Sequence, residues 1–430
     1  MPSLLFKKAR IIDPLQKLDF IGDLLCEDDK IKEVASHIEE PVNVKVIDAS
    51  GKTLLPGLID IHVHLRDPGF TYKEDVISGC NAASAGGITT LCAMPNTNPT
   101  CDSPDQVRYL IEKAKEAKAH VFPVAAITKG LSGKELTDMK ALKEAGARAF
   151  SDDGVPVATA DLMSQAMAIA AELQTPIFAH TEEKTLSKKG IVHDGKCAKE
   201  LGLAGIPGSA EDVGTAREIT LLMSAPKGCH LHICHTSTKV SVGLIQDAKK
   251  RGYSVTAETC PHYFIFDESK ILTEDADYRM NPPLRTIEDK EAVLDAIVSG
   301  DLDVIVTDHA PHSVEEKSDF LHAPNGVIGM ETSFSASYTA LVATKKLTLM
   351  DLVYRMSTKP AEILNISAGN LKEGSPADLV LIDENEKWIV DPDKLHGKSK
   401  NAVFKGCTLQ SKVKMTVLDG NIVYTDDMEA

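Results

Sequence analysis

Two histidines one residue apart, His62 and His64, close the apolar run Leu58-Ile59-Asp60-Ile61. In a strand this spacing sends both imidazoles to the same side. Neutral imidazoles held together on a rigid strand suit a borderline cation such as zinc. For an isolated pair, two ordinary polar residues at a strand end is the competing reading. Four more residues of the same competence tip that balance, because Asp153, His180, His235 and Asp308 each follow a short apolar run. A metal-dependent enzyme is the reading they favour.

The six lie far apart in sequence, so the fold must gather them. Between residues 57 and 368 short apolar runs alternate with helix-period segments, the pattern of a parallel sheet with crossover helices. Eight strands are expected to end near His62, Met94, Thr128, Phe150, His180, His235, Cys260 and Asp308, with helices over 73–85, 104–118, 160–173, 238–251 and 288–298. This predicts an α/β fold, a (β/α)8 TIM-like barrel, whose chemistry sits at the C-terminal ends of the strands. A doubly wound open sheet is the alternative, but no Gly-x-Gly-x-x-Gly turn follows the first strand. Residues 1–56 and 369–430 both read as short strands and turns. They are expected to pair into one small β-sandwich domain built from the two chain ends.

Composition narrows the class. With 43% hydrophobic and 26% charged residues in 430, the chain reads as a folded protein with one large core and a smaller appendage. The formal charge of -16 argues against nucleic-acid binding, so an anionic substrate needs local cations. Nine scattered cysteines without a Cys-x-x-Cys pair suggest neither a disulfide framework nor a thiolate zinc site, and a reducing cytoplasm is the expected location. The N-terminal residues carry no export pattern, and no window is apolar enough to span a bilayer, so no membrane partner is expected.

Longer motifs sharpen the reading. His62-Val63-His64-Leu65-Arg66-Asp67-Pro68-Gly69, Ala93-Met94-Pro95-Asn96-Thr97, Phe150-Ser151-Asp152-Asp153-Gly154, Ala179-His180-Thr181-Glu182, His232-Ile233-Cys234-His235-Thr236-Ser237-Thr238, Met280-Asn281-Pro282-Pro283-Leu284-Arg285 and Val306-Thr307-Asp308-His309-Ala310-Pro311-His312 run along nearly the whole chain. Together they resemble the class I, bacterial-type dihydroorotases of the amidohydrolase superfamily. The His-x-His pair is common to that superfamily. The trailing Arg-Asp-Pro-Gly and the Met-Pro-Asn and Asn-Pro-Pro-Leu-Arg segments are far more specific.

The resemblance implies zinc, one or two ions per subunit, held by His62, His64, Asp153, His180, His235 and Asp308. It implies substrate binding by His64, Arg66, Asn96, Asn281, His312, Asn325 and Gly326. It also implies reversible cyclisation of N-carbamoyl-L-aspartate to (S)-dihydroorotate in pyrimidine biosynthesis, a homodimer, and association with aspartate transcarbamoylase. Many superfamily members bridge two metals with a carboxylated lysine at the end of strand four. Here that stretch has no lysine, and Asp153 looks like the substitute, although a one-residue slip would put Asp152 in its place. The family often has Phe-Gly where this chain has Asn325-Gly326.

For such a reaction Asp308 is the expected proton shuttle, accepting a proton as water attacks and returning it to the ring nitrogen. Arg66 is expected to select the substrate carboxylate through a bidentate pair, which neutral hydantoins cannot offer. His309 is a neighbouring candidate, whereas His230, His232 and His262 are expected to be structural. Residues 313–325, charged and without periodicity, read as a mobile lid or an ordinary solvated loop. The rival readings are an allantoinase or hydantoinase, and a non-catalytic scaffold homologue, whose mark would be loss of the ligands.

Overall fold

The computed structural model describes residues 3–426, so residues 1–2 and 427–430 of the two expected end segments lie outside the described residues. The chain opens with β1 (Leu4–Asp13), β2 (Leu18–Glu27), β3 (Lys30–Ala35), β4 (Lys45–Asp48) and β5 (Thr53–Pro56). β1 and β2 are antiparallel, and β1 also runs parallel to β4 at one end and to β5 at the other.

The barrel strands follow as β6 (Leu58–Val63), β7 (Ile88–Ala93), β8 (His120–Ala125), β9 (Ala149–Phe150) and β10 (Ile177–Ala179). A small parallel pair, β11 (Val192–His193) and β12 (Gly205–Ile206), interrupts the series. It resumes with β13 (Leu231–Ile233), β14 (Val255–Thr259) and β15 (Val304–Ile305). The eight form one parallel sheet in the order β15-β14-β13-β10-β9-β8-β7-β6. Six of the eight strands are fully buried, and only His120 and Phe122 in β8 and Thr256 in β14 are half-buried, as expected where helices cover the outside.

Helices Val76–Ala85, Pro104–Ala114, Ala160–Glu172, Lys239–Lys250 and Ile287–Ser299 match the expected segments. Asp75, Ser103, Thr159, Thr238 and Thr286 cap their N-termini by accepting a backbone N–H. Helix Gly208–Ser224 escaped the periodicity because its buried face carries Glu211, Gly214, Thr215 and Glu218 among its apolar residues. Several strands stop short of the expected ends: β8 ends at Ala125 rather than Thr128, and β15 at Ile305 rather than Asp308. Apart from His62, which lies inside β6, the six expected ligands therefore sit on the turns just above the strands.

β6 and β15 do not pair as a ladder among the described residues. The seam is closed instead by one isolated bridge, Val63 to His309, with His64 N–H donating to His309 O at 2.9 Å. The buried Asp60 adds a side-chain link. Its carboxylate accepts from the Thr307 hydroxyl at 2.5 Å and the Thr307 and His62 N–H groups at 3.3 and 3.2 Å. Burial pushes the Asp60 carboxyl up to about 7, against the pull of these donors.

The chain ends with β16 (Leu379–Ile389), β17 (Thr408–Leu418) and β18 (Asn421–Thr425). β16 joins β5 antiparallel, so the sandwich expected from the two chain ends is one continuous sheet ordered β18-β17-β16-β5-β1-β2-β3, with β4 beside β1. It has its own apolar core, including Phe6, Leu24, Leu54, Leu381 and Val417. A larger core fills the barrel and its helical layer, with Phe150 and Phe178 fully buried. Each such side chain contributes about 1.5–3 kcal/mol relative to exposure. None of the nine cysteines is disulfide-bonded. Among the described residues, no helix is long and apolar enough to cross a membrane.

Candidate metal centre and active site

All six expected ligands converge on one end of the barrel. His62, His64 and Asp153 form one group, and Asp153, His180 and His235 a second, with the potential ligand atoms of each group within 4.8 Å of one another. Asp153 is common to both. Its Oδ1 lies 3.4 Å from His62 Nε2, 3.5 Å from His180 Nδ1 and 3.8 Å from His235 Nε2, while Oδ2 lies 3.4 Å from His64 Nε2. Asp308 Oδ1 stands 3.1 Å from His64 Nε2 and 3.5 Å from His62 Nε2. Asp152, the neighbour that a register slip would exchange, faces away. Its carboxylate accepts from the Ile127 and Thr128 N–H groups and the Thr128 hydroxyl.

The imidazoles are held from behind. His62 Nδ1–H donates to Glu258 Oε1 at 2.5 Å, and His64 Nδ1–H to Asn96 Oδ1 at 2.7 Å. His180 Nε2–H donates to Glu182 Oε2 at 3.0 Å. These bonds fix the tautomers, so His62 Nε2, His64 Nε2 and His180 Nδ1 present lone pairs to the carboxylates. Lone pairs facing anions at this range need positive charge between them. His62 Nε2 and Asp153 Oδ1 are also buried without a hydrogen-bond partner. The donor set of imidazole nitrogens and carboxylate oxygens therefore fits a divalent cation. Without such a cation, protons on the imidazoles would supply the positive charge: burial opposes ionisation of Asp153, but a charged His62 and N–H groups of His180, His235 and His62 turned toward it hold its carboxyl well below the usual range. Asp308 is likewise lowered, because His62 and His64 outweigh burial.

Three residues here, Arg66, His235 and Asp308, adopt left-handed backbone with φ of 61°, 34° and 47°. Non-glycine residues reach this region at a cost of about 1–3 kcal/mol each, which the surrounding packing must offset.

A cavity of about 320 Å³ opens above the centre, with His64, Asp153, His180, His235 and Asp308 in its floor and Arg66, Asn96, Asn281, His312, Asn325 and Gly326 in its walls. His62, fully buried, lies beneath it. Arg66 Nε donates to Pro311 O at 3.2 Å and its Nη2 lies 3.4 Å from His312 Nε2. Burial lowers its pKa to about 10 against the attraction of Asp308, Asp153 and Glu316, none of which is close enough to pair with it. His312 donates from Nε2 to Asn325 O at 2.9 Å and accepts from Lys73 Nζ at 3.3 Å. Burial, with Arg66 and Lys73 nearby, drives its pKa down to about 3, so the ring is neutral. The lid expected over 313–325 is tied down: Glu316 pairs with Lys73 at 2.9 Å and accepts from Tyr72 Oη, while Arg279 donates to Phe320 O at 2.6 Å.

The chain matches the Dihydro-orotase-like family model over residues 51–241 and the amidohydrolase family model over residues 326–424. It is 46% identical over 429 residues to the dihydroorotase of Geotalea daltonii, covering 99% of this chain and 100% of that protein. The dihydroorotase of Syntrophus aciditrophicus is 45% identical, with 99% and 100% covered. This chain belongs to the dihydroorotase family. Among solved structures, a D-hydantoinase superposes with a TM-score of 0.87 at 26% identity, covering 100% of this chain and 96% of that one. The L-hydantoinase from Arthrobacter aurescens superposes at 0.89 with 24% identity, over 99% and 96% of the two chains, a likeness of fold.

This member of the dihydroorotase family also uses residues that sequence reasoning passed over. Glu258 accepts from His62, from His232 Nε2 at 2.9 Å and from His235 N at 3.2 Å, so His232 supports the centre through it. The signal was a carboxylate inside the buried strand Val255–Thr259. Glu182 Oε2 gathers His180, Asn281 Nδ2 at 3.1 Å and Lys184 Nζ at 2.6 Å. Asn96, read as a substrate contact, uses its side-chain oxygen to orient His64. His230 bonds Thr256 Oγ1 at 2.8 Å, and His262 packs on Tyr263, within the electrostatic reach of Asp308 and His235.

Proposed function

We propose that this protein is a class I, bacterial-type dihydroorotase that interconverts N-carbamoyl-L-aspartate and (S)-dihydroorotate. The observation that carries the substrate choice is Arg66, a guanidinium without a carboxylate partner, in the wall of the cavity above the histidine–aspartate cluster. A planar guanidinium matches the substrate carboxylate in two hydrogen bonds. His312, Asn281 and the 325–326 backbone line the same wall, and Asn96 has an amide N–H pair left to offer.

His62, His64, Asp153, His180 and His235, with Asp308 at the edge, would hold zinc, one or two ions per subunit. Such a cation supplies Lewis acidity, lowering the pKa of water and polarising the ring carbonyl. Asp308, kept ionised by His62 and His64, accepts the proton released on attack and delivers it to the departing ring nitrogen. In the cyclisation direction the same carboxylate removes a proton from the ureido nitrogen. Asp153 is a permanent carboxylate, ionised without carbon dioxide, in place of a carboxylated lysine.

We further place the protein in the cytoplasm as a homodimer, with aspartate transcarbamoylase as a partner, and divide it at 1–56, 57–368 and 369–430. The test is turnover of dihydroorotate against hydantoin before and after chelation, with metal analysis of the same samples and restoration by zinc. Preference for hydantoin, or full dihydroorotate turnover in metal-free protein, would overturn the reading.

A further inference from the structure

Lys317 is buried in the loop above the cavity, and its ammonium donates to three backbone carbonyls: Arg279 O at 3.2 Å, Pro324 O at 3.1 Å and Gly326 O at 2.9 Å. The nearby acids Asp275 and Asp277 are taken by Lys405, so the carbonyls themselves solvate this charge. The same Gly326 carbonyl is also reached by Asn401, 3% exposed, in the segment between β16 and β17. Its Nδ2 donates to the same Gly326 O at 3.0 Å and to Ala310 O at 3.3 Å, and its Oδ1 accepts from His312 N at 3.3 Å.

The two side chains thus grip both strands of the wall that faces Arg66. Asn401 fixes residues 310 and 312, on either side of the Pro311 carbonyl that orients the guanidinium. Lys317 fixes 324 and 326, on either side of the Asn325 carbonyl that orients His312. There is no slack between them: with φ of 140°, Gly326 would place a Cβ 2.7 Å from Ala310 and 2.9 Å from His312 Nε2. Neither residue reaches the cavity.

We propose that Lys317 and Asn401 are positioning residues that set the pose of Arg66 and His312, and that the connection between β16 and β17 is in this way part of the anion-binding end of the site. The inference rests on the dihydroorotase reading. Three N–H donors on one flexible stem and a neutral amide with both donor and acceptor are the groups this arrangement requires.

The test is steady-state kinetics on dihydroorotate with Lys317→Met, Asn401→Ser and the double variant, alongside metal content and melting temperature. Each single change should raise KM by about tenfold or more, the factor tied to one displaced hydrogen bond to a charged group. The kcat and metal content should stay near wild type. Because both side chains act on the Gly326 carbonyl, the double variant should raise KM by less than the product of the singles. If Lys317→Met does not fold, Asn401→Ser reads the same wall. A soluble variant with a lowered melting temperature but unchanged KM would show a merely structural role and overturn the inference. No dihydroorotate turnover by the wild type would sink both this inference and the functional reading, whereas turnover with unchanged variant KM sinks the inference alone.

Discussion

Glu258 offers the sharpest test of how the metal centre is held. Its Oε1 accepts from both His62 Nδ1 and His235 N, and its Oε2 from His232 Nε2. In Glu258→Gln the amide oxygen can keep the two bonds at Oε1. The amide nitrogen then faces His232, which can accept it by moving its own proton to Nδ1, where Thr256 Oγ1 lies at 2.8 Å. The geometry survives and only the charge that makes His62 a stronger donor is lost. In Glu258→Ala all three donors lose their acceptor, and His62 is free to take the wrong tautomer. Loss of a group supporting a metal ligand costs about 10–100-fold in affinity, or about 1.4–2.8 kcal/mol. Glu258→Gln should fall near the lower figure and Glu258→Ala near the upper, with further destabilisation from the buried N–H groups left unpaired. Titrating metal-free protein with zinc against a chromophoric chelator measures the affinity, with dihydroorotate turnover followed in parallel. Wild-type affinity in Glu258→Ala, or a greater loss in Gln than in Ala, would refute the reasoning.

Arg66→Ala should cost roughly 2–5 kcal/mol in kcat/KM for dihydroorotate, and Arg66→Lys should recover only part, because charge returns without the planar fork. Asp308→Asn should lower turnover by at least about 10²-fold in samples whose metal content has been measured, the lower end for acid–base catalysis. Asp153→Ala should lose bound metal on elemental analysis while Asp152→Ala retains it, and reconstitution of the wild type should not depend on bicarbonate. Burial opposes a charge on His120, but Asp378 and Asp419, at 3.3 and 3.5 Å, raise its pKa to about 10. That contribution to stability is fully present below the unfolded pKa of about 6.5 and is lost as pH rises through about 10. The melting-temperature gap between wild type and His120→Gln should therefore be widest near pH 6 and vanish above pH 10, and a gap that grows with pH would contradict it.

The barrel and its six convergent residues were legible because each lies just past an apolar run long enough to recognise. Even the two-residue strands β9 and β15 were found, since the apolar pattern extends beyond the stretch that pairs. Choosing Asp153 over Asp152 was not possible from alternation alone, because both residues stand in the turn beyond β9 and tertiary donors at 127 and 128 decide which carboxylate turns inward. Glu182 stands in a recognised motif without an assigned role and Glu258 in none, because only the folded barrel shows that they orient His180 and His62. Asn401 had no local signal at all: it is 75 residues from Gly326, and nothing short-range marks that meeting. Helix Gly208–Ser224 was hidden for a related reason, its inward face being partly polar, with Glu211 receiving Ser237, Thr238 and Arg285 from other elements.

The seam between β6 and β15 makes this barrel a split ring. Around the rest of the circumference, neighbouring strands pair directly, down to the single Ile177–Phe150 pair between β10 and β9. At the split, that spacing is set by a single bridge and by one carboxylate, Asp60, clipped onto Thr307. The residues facing each other across it are the His62–His64 pair on one lip and Asp308 on the other. The proposed proton carrier and the metal-binding pair thus face each other across a junction tied by one bridge and by the Asp60 carboxylate rather than by a ladder, and Asp60 is the side chain that clasps its two lips.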